Sequence, residues 1–279
     1  MLTCTTLASG SGGNAALVSC NGTHILLDAG VSARRLTSGL RSLGVAPEEL
    51  SAILITHEHH DHIAGLAVLT KRVRAPIVAT PATCRRICYK VPFVDDLMRE
   101  QEAGAGIQLG ELWVESFPTP HDAAGSVGYV LCGGGYKMAL CTDLGYVTPE
   151  VLKAVEGCDL LVCEANHDED WVRTGPYPYA LKQRILGDYG HLSNEAGGEL
   201  AAYAVERGTR TVVLAHLSQQ NNTPAHARQA VCRRLSATGC DPERDIVLDV
   251  APQDRLGTTY QLGTGAAPRP RPCGEAVLC

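Results

Sequence analysis

The chain has 279 residues, of which 45% are hydrophobic and 19% charged, so it can bury a sizeable core and is not a disordered protein. Its formal net charge of −6 excludes a broadly basic nucleic-acid coat but not a local basic patch. No stretch approaches the roughly 18 uninterrupted apolar residues of a membrane helix. Residues 1–33 hold no Lys or Arg that would start a secretory signal, and we expect a cytoplasmic protein.

The first 90 residues alternate between short strands and helices. Asn21-Gly22 separates two apolar runs and is a strong hairpin signal. The apolar spacing predicts strands at residues 2–8, 15–20, 23–28, 50–56 and 76–80. It predicts helices at residues 32–43, 62–70 and 81–89.

A strand-rich block follows, and then strands and helices alternate again. Strands are predicted at residues 112–118, 126–131, 137–142, 160–165, 211–216 and 246–250. Helices are predicted at residues 149–156, 179–186, 194–207 and 223–237, with Asn194 and Thr223 as N-caps. Many strands with interspersed helices predict two sheets packed together with helices outside. We expect one domain over residues 1–262 and a disordered Pro/Gly-rich tail over residues 263–279.

The chain contains twelve cysteines, and most of them lie inside apolar runs. No CxxC pair is present, which disfavours a site built from metal thiolates. Free cysteine behaves as a small buried hydrophobe. The pattern therefore predicts reduced, mostly buried thiols rather than a disulfide framework.

Four of the ten histidines fall within six residues, in Thr56-His-Glu-His-His-Asp-His62. This segment follows one apolar run and precedes another, and a strand-to-helix loop is a common place for a site. His57 and His59 alternate, so both side chains can face one ion, while Asp61 and His62 can face a second. Imidazole and carboxylate are usual ligands of zinc and similar divalent metals. The alternative, a solvated polar loop, is disfavoured by the flanking strand and helix.

The spacing of this segment resembles the signature of the metallo-β-lactamase superfamily. Four further motifs follow the order of that family: Asp28 in LLDAG, His121 in PTPHD, Asp143 in LCTDLG and His216 in LAHL. The resemblance implies an α+β fold, an αββα four-layer sandwich with two mixed sheets packed together and helices on the outer faces.

The resemblance also implies two divalent metal ions, first of all Zn²⁺, with Mn²⁺ or Fe²⁺ compatible. Seven ligands are implied: His57, His59 and His121 at one ion, Asp61, His62 and His216 at the other, and Asp143 as a bridge between them. Asp28 is expected to orient a histidine through its other ring nitrogen. His60 lies outside the motif and is expected to be structural or solvent-facing.

Two branches of the superfamily fit the sequence poorly. Some lactam-hydrolysing members carry Cys where Asp143 stands, and a lactamase is expected to be secreted. The RNA-processing branch needs an inserted domain between Asp143 and His216, and too few residues separate them. Residues 7–14 (LASGSGGN), 163–168 (CEANHD) and 189–194 (YGHLSN) resemble the YycJ/WalJ-type branch. Its members are regarded as cytoplasmic 5′→3′ DNA exonucleases.

The resemblance to this branch implies a dinuclear-metal phosphodiesterase that digests DNA. A metal-bridging hydroxide would attack phosphorus. Asp61 is counted with the catalytic groups, and His191 or His167 would position the phosphate or protonate the leaving oxygen. Two alternatives stay open: a small ester or thioester hydrolase of the glyoxalase II type, and a non-catalytic metal-binding regulatory module.

The residues themselves give separate support for a DNA substrate, single-stranded or at a duplex end. Residues 171–191 concentrate aromatic and cationic side chains in a chain with 5% aromatics, as single-stranded nucleic acid requires. A second cationic cluster is equally consistent with a solvated helix face; it contains Lys71, Arg72, Arg74, Arg85, Arg86 and Lys90. The candidate substrate-binding residues are Ser11, Asn14, Arg173, Tyr177, Lys182 and Asn194. No membrane partner is expected, and the sequence leaves the oligomeric state open.

Overall fold

The computed structural model describes residues 1–263. The predicted tail therefore lies outside the described residues apart from Gly263. The strands are β1 (Leu2–Ala8), β2 (Ala15–Cys20), β3 (Thr23–Leu27), β4 (Ala52–Leu54), β5 (Ile77–Ala79), β6 (Met98–Glu100), β7 (Gly106–Leu109), β8 (Leu112–Pro118), β9 (Val127–Gly133), β10 (Tyr136–Cys141), β11 (Leu160–Glu164), β12 (Thr211–Ala215), β13 (Val247–Val250) and β14 (Thr259–Leu262). The helices are α1 (Ala33–Ser42), α2 (His60–Ile63), α3 (Leu66–Leu69), α4 (Pro81–Lys90), α5 (Pro149–Val155), α6 (Glu169–Thr174), α7 (Tyr179–Leu186), α8 (Asn194–Glu206) and α9 (Pro224–Ala237).

Within residues 1–263 the strands form two seven-stranded mixed sheets. The first has the order β14-β1-β2-β3-β4-β5-β6 and the second β13-β12-β11-β10-β9-β8-β7. Strands β3 to β6 run parallel in the first sheet, and β10 to β13 run parallel in the second. The predicted fold class, two mixed sheets with helices, is confirmed.

The alternation of side chains along each strand builds the layers. Ile25 and Leu27 of β3 point into the core between the sheets, where they join Tyr129 of β9. Leu26 points the other way and packs in a second cluster with Leu36 of α1. Helices α5, α8 and α9 cover the outer face of the second sheet in the same way. Among the described residues, none of the helices is long and apolar enough to cross a bilayer.

Two hydrogen bonds join the sheets beneath the histidine-rich loop. The hydroxyl of Tyr129 donates to the carbonyl of Ile55 at 3.0 Å. The Val127 N–H donates to the carbonyl of Thr56 at 3.2 Å. Because Ile55 and Thr56 directly precede His57, these bonds fix the start of that loop relative to both sheets.

The prediction of one continuous helix over residues 62–70 is wrong, because the chain forms two short helices there, α2 and α3. The carbonyls of Asp61 and His62 accept hydrogen bonds from the Asn14 and Ala29 N–H groups, respectively. The Gly65 N–H in turn donates to the carbonyl of Ala29. A continuous helix would need these groups for its own ladder. The interruption therefore brings the loops after β1 and β3 against the histidine motif.

Two other expectations need correction. Ser193, not Asn194, is the N-cap of α8, because its Oγ accepts the Ala196 N–H while Asn194 is already helical. Strands β6, β7 and β14 and helix α6 were not predicted. The three strands are sheet edges with largely exposed or half-exposed residues. Edge strands carry weak hydrophobic alternation, so their pattern in the sequence is faint.

The cysteines provide a direct test of the packing. Seven described cysteines are buried, and Cys88, Cys232 and Cys240 are half-buried; all ten are reduced. Burial raises the pKa of Cys4 and of Cys163 to about 12, which keeps them protonated and unreactive.

We expect brief alkylation of the native protein to modify the three half-buried cysteines before any of the seven buried ones. Mass spectrometry of the digest would locate the labels, and denaturation should expose twelve thiols. Rapid labelling of Cys4 or Cys163 in the native state would contradict their burial in the core.

Candidate metal centre

The expected site residues converge at the edge where the parallel strands end. Asp28 directly follows β3, and His57 comes three residues after β4. In the second sheet Asp143 comes two residues after β10, and His216 directly follows β12. The carboxyl ends of parallel strands meet at one edge, and ligands commonly bind there.

Three of these residues hold an uncommon backbone conformation. Asp28, Asp143 and His216 have φ angles of 57°, 61° and 56°. A non-glycine residue in this left-handed region costs about 1–3 kcal/mol and persists only where the surroundings enforce it. Such conformations concentrate at functional sites, and here each one turns a side chain toward the same centre.

A close backbone approach positions Asp61. The Asn14 N–H donates to the Asp61 carbonyl at 2.8 Å, and the Gly30 N–H donates to the Asn14 carbonyl at the same distance. A Cβ atom at Gly30 would lie 1.6 Å from the Asp61 oxygen, so only glycine fits. The side chain of Asn14 lies 3.2 Å from His62 Nε2, which places Asn14 at the rim of the centre.

His57, His59 and His121 form the first donor group. Their ligand atoms lie within 4.8 Å of one another, and His121 Nε2 is 3.3 Å from His59 Nδ1. Burial, together with the neighbouring imidazoles of His62 and His121, holds the pKa of His57 well below its usual range. A neutral imidazole presents a lone pair, which is the form that binds a metal ion.

Asp61, His62 and His216 form the second donor group, also within 4.8 Å. The Asp61 Oδ2 atom is 3.3 Å from His216 Nε2 and 3.5 Å from His62 Nε2. Burial alone would raise the pKa of Asp61, but the two histidines outweigh it and hold the pKa below its usual range. Asp61 is therefore a carboxylate at neutral pH.

Asp143 lies between the two groups and is buried. Its Oδ1 is 3.4 Å from His216 Nε2 and 3.8 Å from His121 Nε2, and its Oδ2 is 3.5 Å from His62 Nε2. Burial would raise the pKa of Asp143, but His216 and His62 more than offset it, so the pKa lies below its usual range. One carboxylate thus reaches histidines of both donor groups.

Two buried atoms in this cluster lack a hydrogen-bond partner among the described residues. They are His57 Nε2 and Asp143 Oδ2. A buried polar atom without a partner costs about 1–3 kcal/mol, so native proteins rarely leave one without a reason. Nitrogen and oxygen donors of this kind suit zinc and other divalent metals. The residues present therefore fit bound divalent metal.

Hydrogen bonds on the far side fix the orientation of the histidine rings. His62 Nδ1 donates to Asp28 Oδ2 at 2.8 Å, and Asp28 also accepts the Thr56 N–H at 2.9 Å. His121 Nδ1 donates to the carbonyl of Gly190 at 3.0 Å. In each case Nδ1 is the outward donor, so Nε2 is the ring atom that faces the centre and can bind a metal ion. Asp28 is therefore placed where it can orient the His62 ring.

Sequence reasoning missed Glu164, the buried last residue of β11. Its Oε1 accepts from His216 Nδ1 at 2.8 Å and from His191 Nδ1 at 2.9 Å. Its Oε2 accepts the backbone N–H groups of Leu144 and Leu192. Burial would raise the pKa of Glu164, but the two histidines hold it well below its usual range. The available signal was a carboxylate ending an apolar strand.

The two histidines proposed for proton transfer lie in different surroundings. His191 is partly exposed, and its ring centroid lies 5.1 Å from those of His121 and His216. His167 is buried, and this burial lowers its pKa to about 4. A histidine that is neutral at pH 7 and closed to solvent is a poor proton donor. The structure argues against His167 in that role and leaves His191.

The expected substrate-binding residues separate into three groups. Asn14 lies at the rim of the centre, as described above, and Ser11 is exposed on the same Gly-rich turn. Asn194 is buried and exchanges two side-chain hydrogen bonds with Asn222, at 2.8 and 3.1 Å. The expectation that Asn194 binds substrate is therefore wrong, because both of its polar atoms are occupied in the interior.

In segment 171–189 some aromatic rings are well exposed, and the cations make local contacts. Tyr179 and Tyr189 are well exposed, and Tyr177 is half-buried, whereas Trp171 stacks on His226 with ring centroids 4.9 Å apart. The cations of the segment contact nearby groups. Arg173 pairs with Glu169, Lys182 donates to the carbonyl of Arg173, and Arg184 donates to both carboxylate oxygens of Asp122. Each of these three cations is therefore already engaged in a contact within the chain.

The fold and this site together define a metal-dependent hydrolase of the metallo-β-lactamase class. A family model described as the beta-lactamase superfamily domain matches residues 23–217. Exodeoxyribonuclease WalJ of Streptococcus pneumoniae is 37% identical over 233 residues, which cover 82% of this chain and 87% of WalJ. Exodeoxyribonuclease YycJ of Bacillus anthracis is 35% identical over 237 residues, which cover 84% and 89%.

The chain therefore belongs to the beta-lactamase superfamily, within the family of WalJ and YycJ. A solved structure agrees with the fold: the metallo-beta-lactamase fold protein YhfI from Bacillus subtilis superposes with a TM-score of 0.70. That likeness covers 94% of this chain and 100% of YhfI at 18% identity, so it bears on the fold alone. The family resemblance read from the motifs is confirmed.

Proposed function

We propose that this protein is a metal-dependent exodeoxyribonuclease that hydrolyses the phosphodiester bonds of DNA from the 5′ end. The similarity to WalJ and YycJ over more than four fifths of the chain carries the proposal. The clustered donors support it, because hydrolysis of an anionic diester requires strong stabilisation of developing charge. A small ester or thioester hydrolase is the second candidate, and the relatives do not favour it.

In this proposal the centre holds two divalent ions, most simply Zn²⁺. The assignment follows the donor groups: His57, His59 and His121 at one ion, Asp61, His62 and His216 at the other, with Asp143 shared. When bound, such ions supply Lewis acidity toward phosphoryl oxygens and lower the pKa of water. We further propose that residues 1–262 act as one domain.

The protein's own groups then have separate tasks. Asp143 and Asp61 bring negative charge to the centre, which offsets the repulsion between two cations. Asp28 and Glu164 keep the imidazoles of His62 and His216 turned inward. His191 is held through Nδ1 by Glu164, so its Nε2 is the atom that meets a phosphate or leaving-group oxygen.

End-labelled oligonucleotides test the proposed activity. With metal-loaded protein, a 5′-labelled strand should release labelled mononucleotide from the start, while a 3′-labelled strand should shorten progressively. A chelator should stop both reactions, and S-lactoylglutathione should not be hydrolysed.

The Asp143→Asn variant, purified in parallel, controls for contaminating nucleases, since it should be inactive on every strand. Rapid thioester hydrolysis with intact DNA would favour the small-ester candidate instead. Cleavage from the 3′ end, or from the interior of the strand, would contradict the proposed polarity.

A further inference from the structure

The second cationic cluster of the sequence has an unexpected neighbour, a pair of exposed aromatic rings. Tyr89 is 88% exposed and Phe93 is 87% exposed. The whole chain contains two Phe residues, so one of them is displayed to solvent. A single exposed apolar side chain is ordinary, but exposed apolar side chains grouped with polar or charged ones often mark an interaction site.

Helix α4 sets the Tyr89 ring and two guanidinium groups on one face, and Phe93 follows three residues after the helix ends. Its buried residues are Thr83, Cys84 and Ile87. Arg85, Arg86 and Tyr89 project from the opposite side, where positions three and four residues apart are neighbours. Among residues 1–263, no side chain makes a hydrogen bond or ion pair with Arg85 or Arg86. This distinguishes them from the partnered cations of residues 171–189.

Phe93 is held in its exposed position. Val91 and Val94 on either side of it are buried, so the ring is presented from a fixed segment. Its φ of 63° lies in the left-handed region, which is unfavourable for a bulky residue. Phe93 thus combines an unfavourable backbone conformation with an exposed apolar ring.

Helix α4 is fastened to the metal centre at both ends. The Lys90 ammonium donates to the carbonyl of Glu58, which stands between His57 and His59, at 2.9 Å. At the other end the Thr80 hydroxyl donates to the carbonyl of Gly125 at 2.8 Å. The Ala124 N–H donates to Glu58 Oε1 at 3.0 Å and closes the frame. Both ends of α4 therefore lie against the loops that carry His57, His59 and His121.

We propose that Arg85, Arg86, Tyr89 and Phe93, here called the α4 platform, bind the unpaired DNA strand beside the metal centre. The rings would stack on bases, and the guanidinium groups would meet phosphates. This inference rests on the proposed function. Single-stranded DNA fits better than an apolar protein surface, because two unpaired cations lie among the rings and an acidic polymer with exposed bases matches both.

Binding of a nuclease-resistant phosphorothioate strand tests the platform without turnover. We expect Tyr89→Ala and Phe93→Ala each to weaken binding of a 2-aminopurine-labelled single strand by about five- to 150-fold and to reduce its fluorescence quenching. The double change Arg85→Ala/Arg86→Ala should lower the slope of log Kd against log salt by about 1.4. Hydrolysis of bis(p-nitrophenyl) phosphate should persist in all of them.

Matched controls come from exposed residues elsewhere. Val247→Ala removes another exposed apolar side chain, and Arg34→Ala/Arg41→Ala removes two exposed cations of α1. These variants should bind the strand like the wild type. Phe93→Gly should lose binding as Phe93→Ala does, while its Tm stays equal or rises, because glycine accepts a positive φ. A fall in Tm of several degrees would make Phe93 a structural residue and overturn its assignment.

The outcomes separate the two proposals. If the wild type digests DNA and the platform variants bind it unchanged, the platform is wrong and the proposed function stands. If the wild type neither binds nor digests DNA, both proposals fall. If the platform variants instead alter the sedimentation of the protein, the surface is a contact between copies, and the platform is again wrong.

Discussion

Replacing Asp143 by alanine is expected to lower the bound metal from two equivalents to one or fewer and to abolish DNA hydrolysis. The physical reason is that this single carboxylate reaches His216 and His121 through Oδ1 and His62 through Oδ2, at 3.4 to 3.8 Å. Loss of groups that merely orient ligands costs about 10–100-fold in affinity or activity, so loss of the shared carboxylate should cost at least about 100-fold.

Metal analysis of the purified protein and the labelled-strand assay measure the two effects. The variant should keep its circular dichroism spectrum, because Asp143 belongs to none of the apolar clusters. Asp249 offers a matched control: it is a partly buried carboxylate of β13 that accepts from Tyr260 at 2.6 Å. Asp249→Ala should keep both ions and full activity. Unchanged metal content in Asp143→Ala would remove Asp143 from the centre.

Most of the fold could be predicted from the sequence because the interior strands are strongly apolar. Strands such as β1, β2 and β8 were predicted to the residue, since their alternation and their turn signals agree. The edge strands β6, β7 and β14 were missed, because an edge strand buries little and its pattern is weak. The interruption between α2 and α3 was also beyond reach, because it depends on hydrogen bonds to the distant residues Asn14 and Ala29.

The candidate site was predictable in unequal parts. Local spacing singled out His57 to His62, because four histidines in six residues are rare. His121, Asp143 and His216 are far apart in the chain, and only the family resemblance grouped them. Asn194 was misassigned because its position near a helix start says nothing about the pairing with Asn222 that buries it.

Glu164 shows what spacing cannot reveal. A carboxylate at the end of the apolar strand β11 must find partners, since a buried charge without them is very costly. The sequence indicates that Glu164 requires hydrogen-bond partners, but it does not identify them. They are His191 and His216, which lie 27 and 52 residues further along the chain. Only the fold brings the three together.

Glu164→Gln is expected to weaken metal binding by about 10–100-fold, with the larger loss at the ion held by His216. Glu164 accepts from two backbone N–H groups through Oε2 and from two imidazoles through Oε1. Backbone N–H groups cannot become acceptors, so the amide oxygen should stay with them and the amide nitrogen should face the imidazoles. His216 Nδ1 must then accept, which moves its proton to Nε2 and blocks the atom that faces the metal.

Competition with a chromophoric chelator measures the affinity. Burial would lower the pKa values of His62 and His216, but neighbouring carboxylates outweigh it and raise them well above the usual range. Long-range ¹⁵N–¹H spectra of the metal-free protein are therefore recorded at a pH high enough to leave both imidazoles neutral, where they report which ring nitrogen carries the proton. His216 should change tautomer while His62, which donates to Asp28, should not. Glu115→Gln, a half-exposed position in β8 of the same sheet, provides the control and should change neither quantity. The contrary result is that Glu164→Gln keeps wild-type metal affinity with His216 still protonated at Nδ1. That result would show that Glu164 does not set the His216 tautomer and has only a packing role.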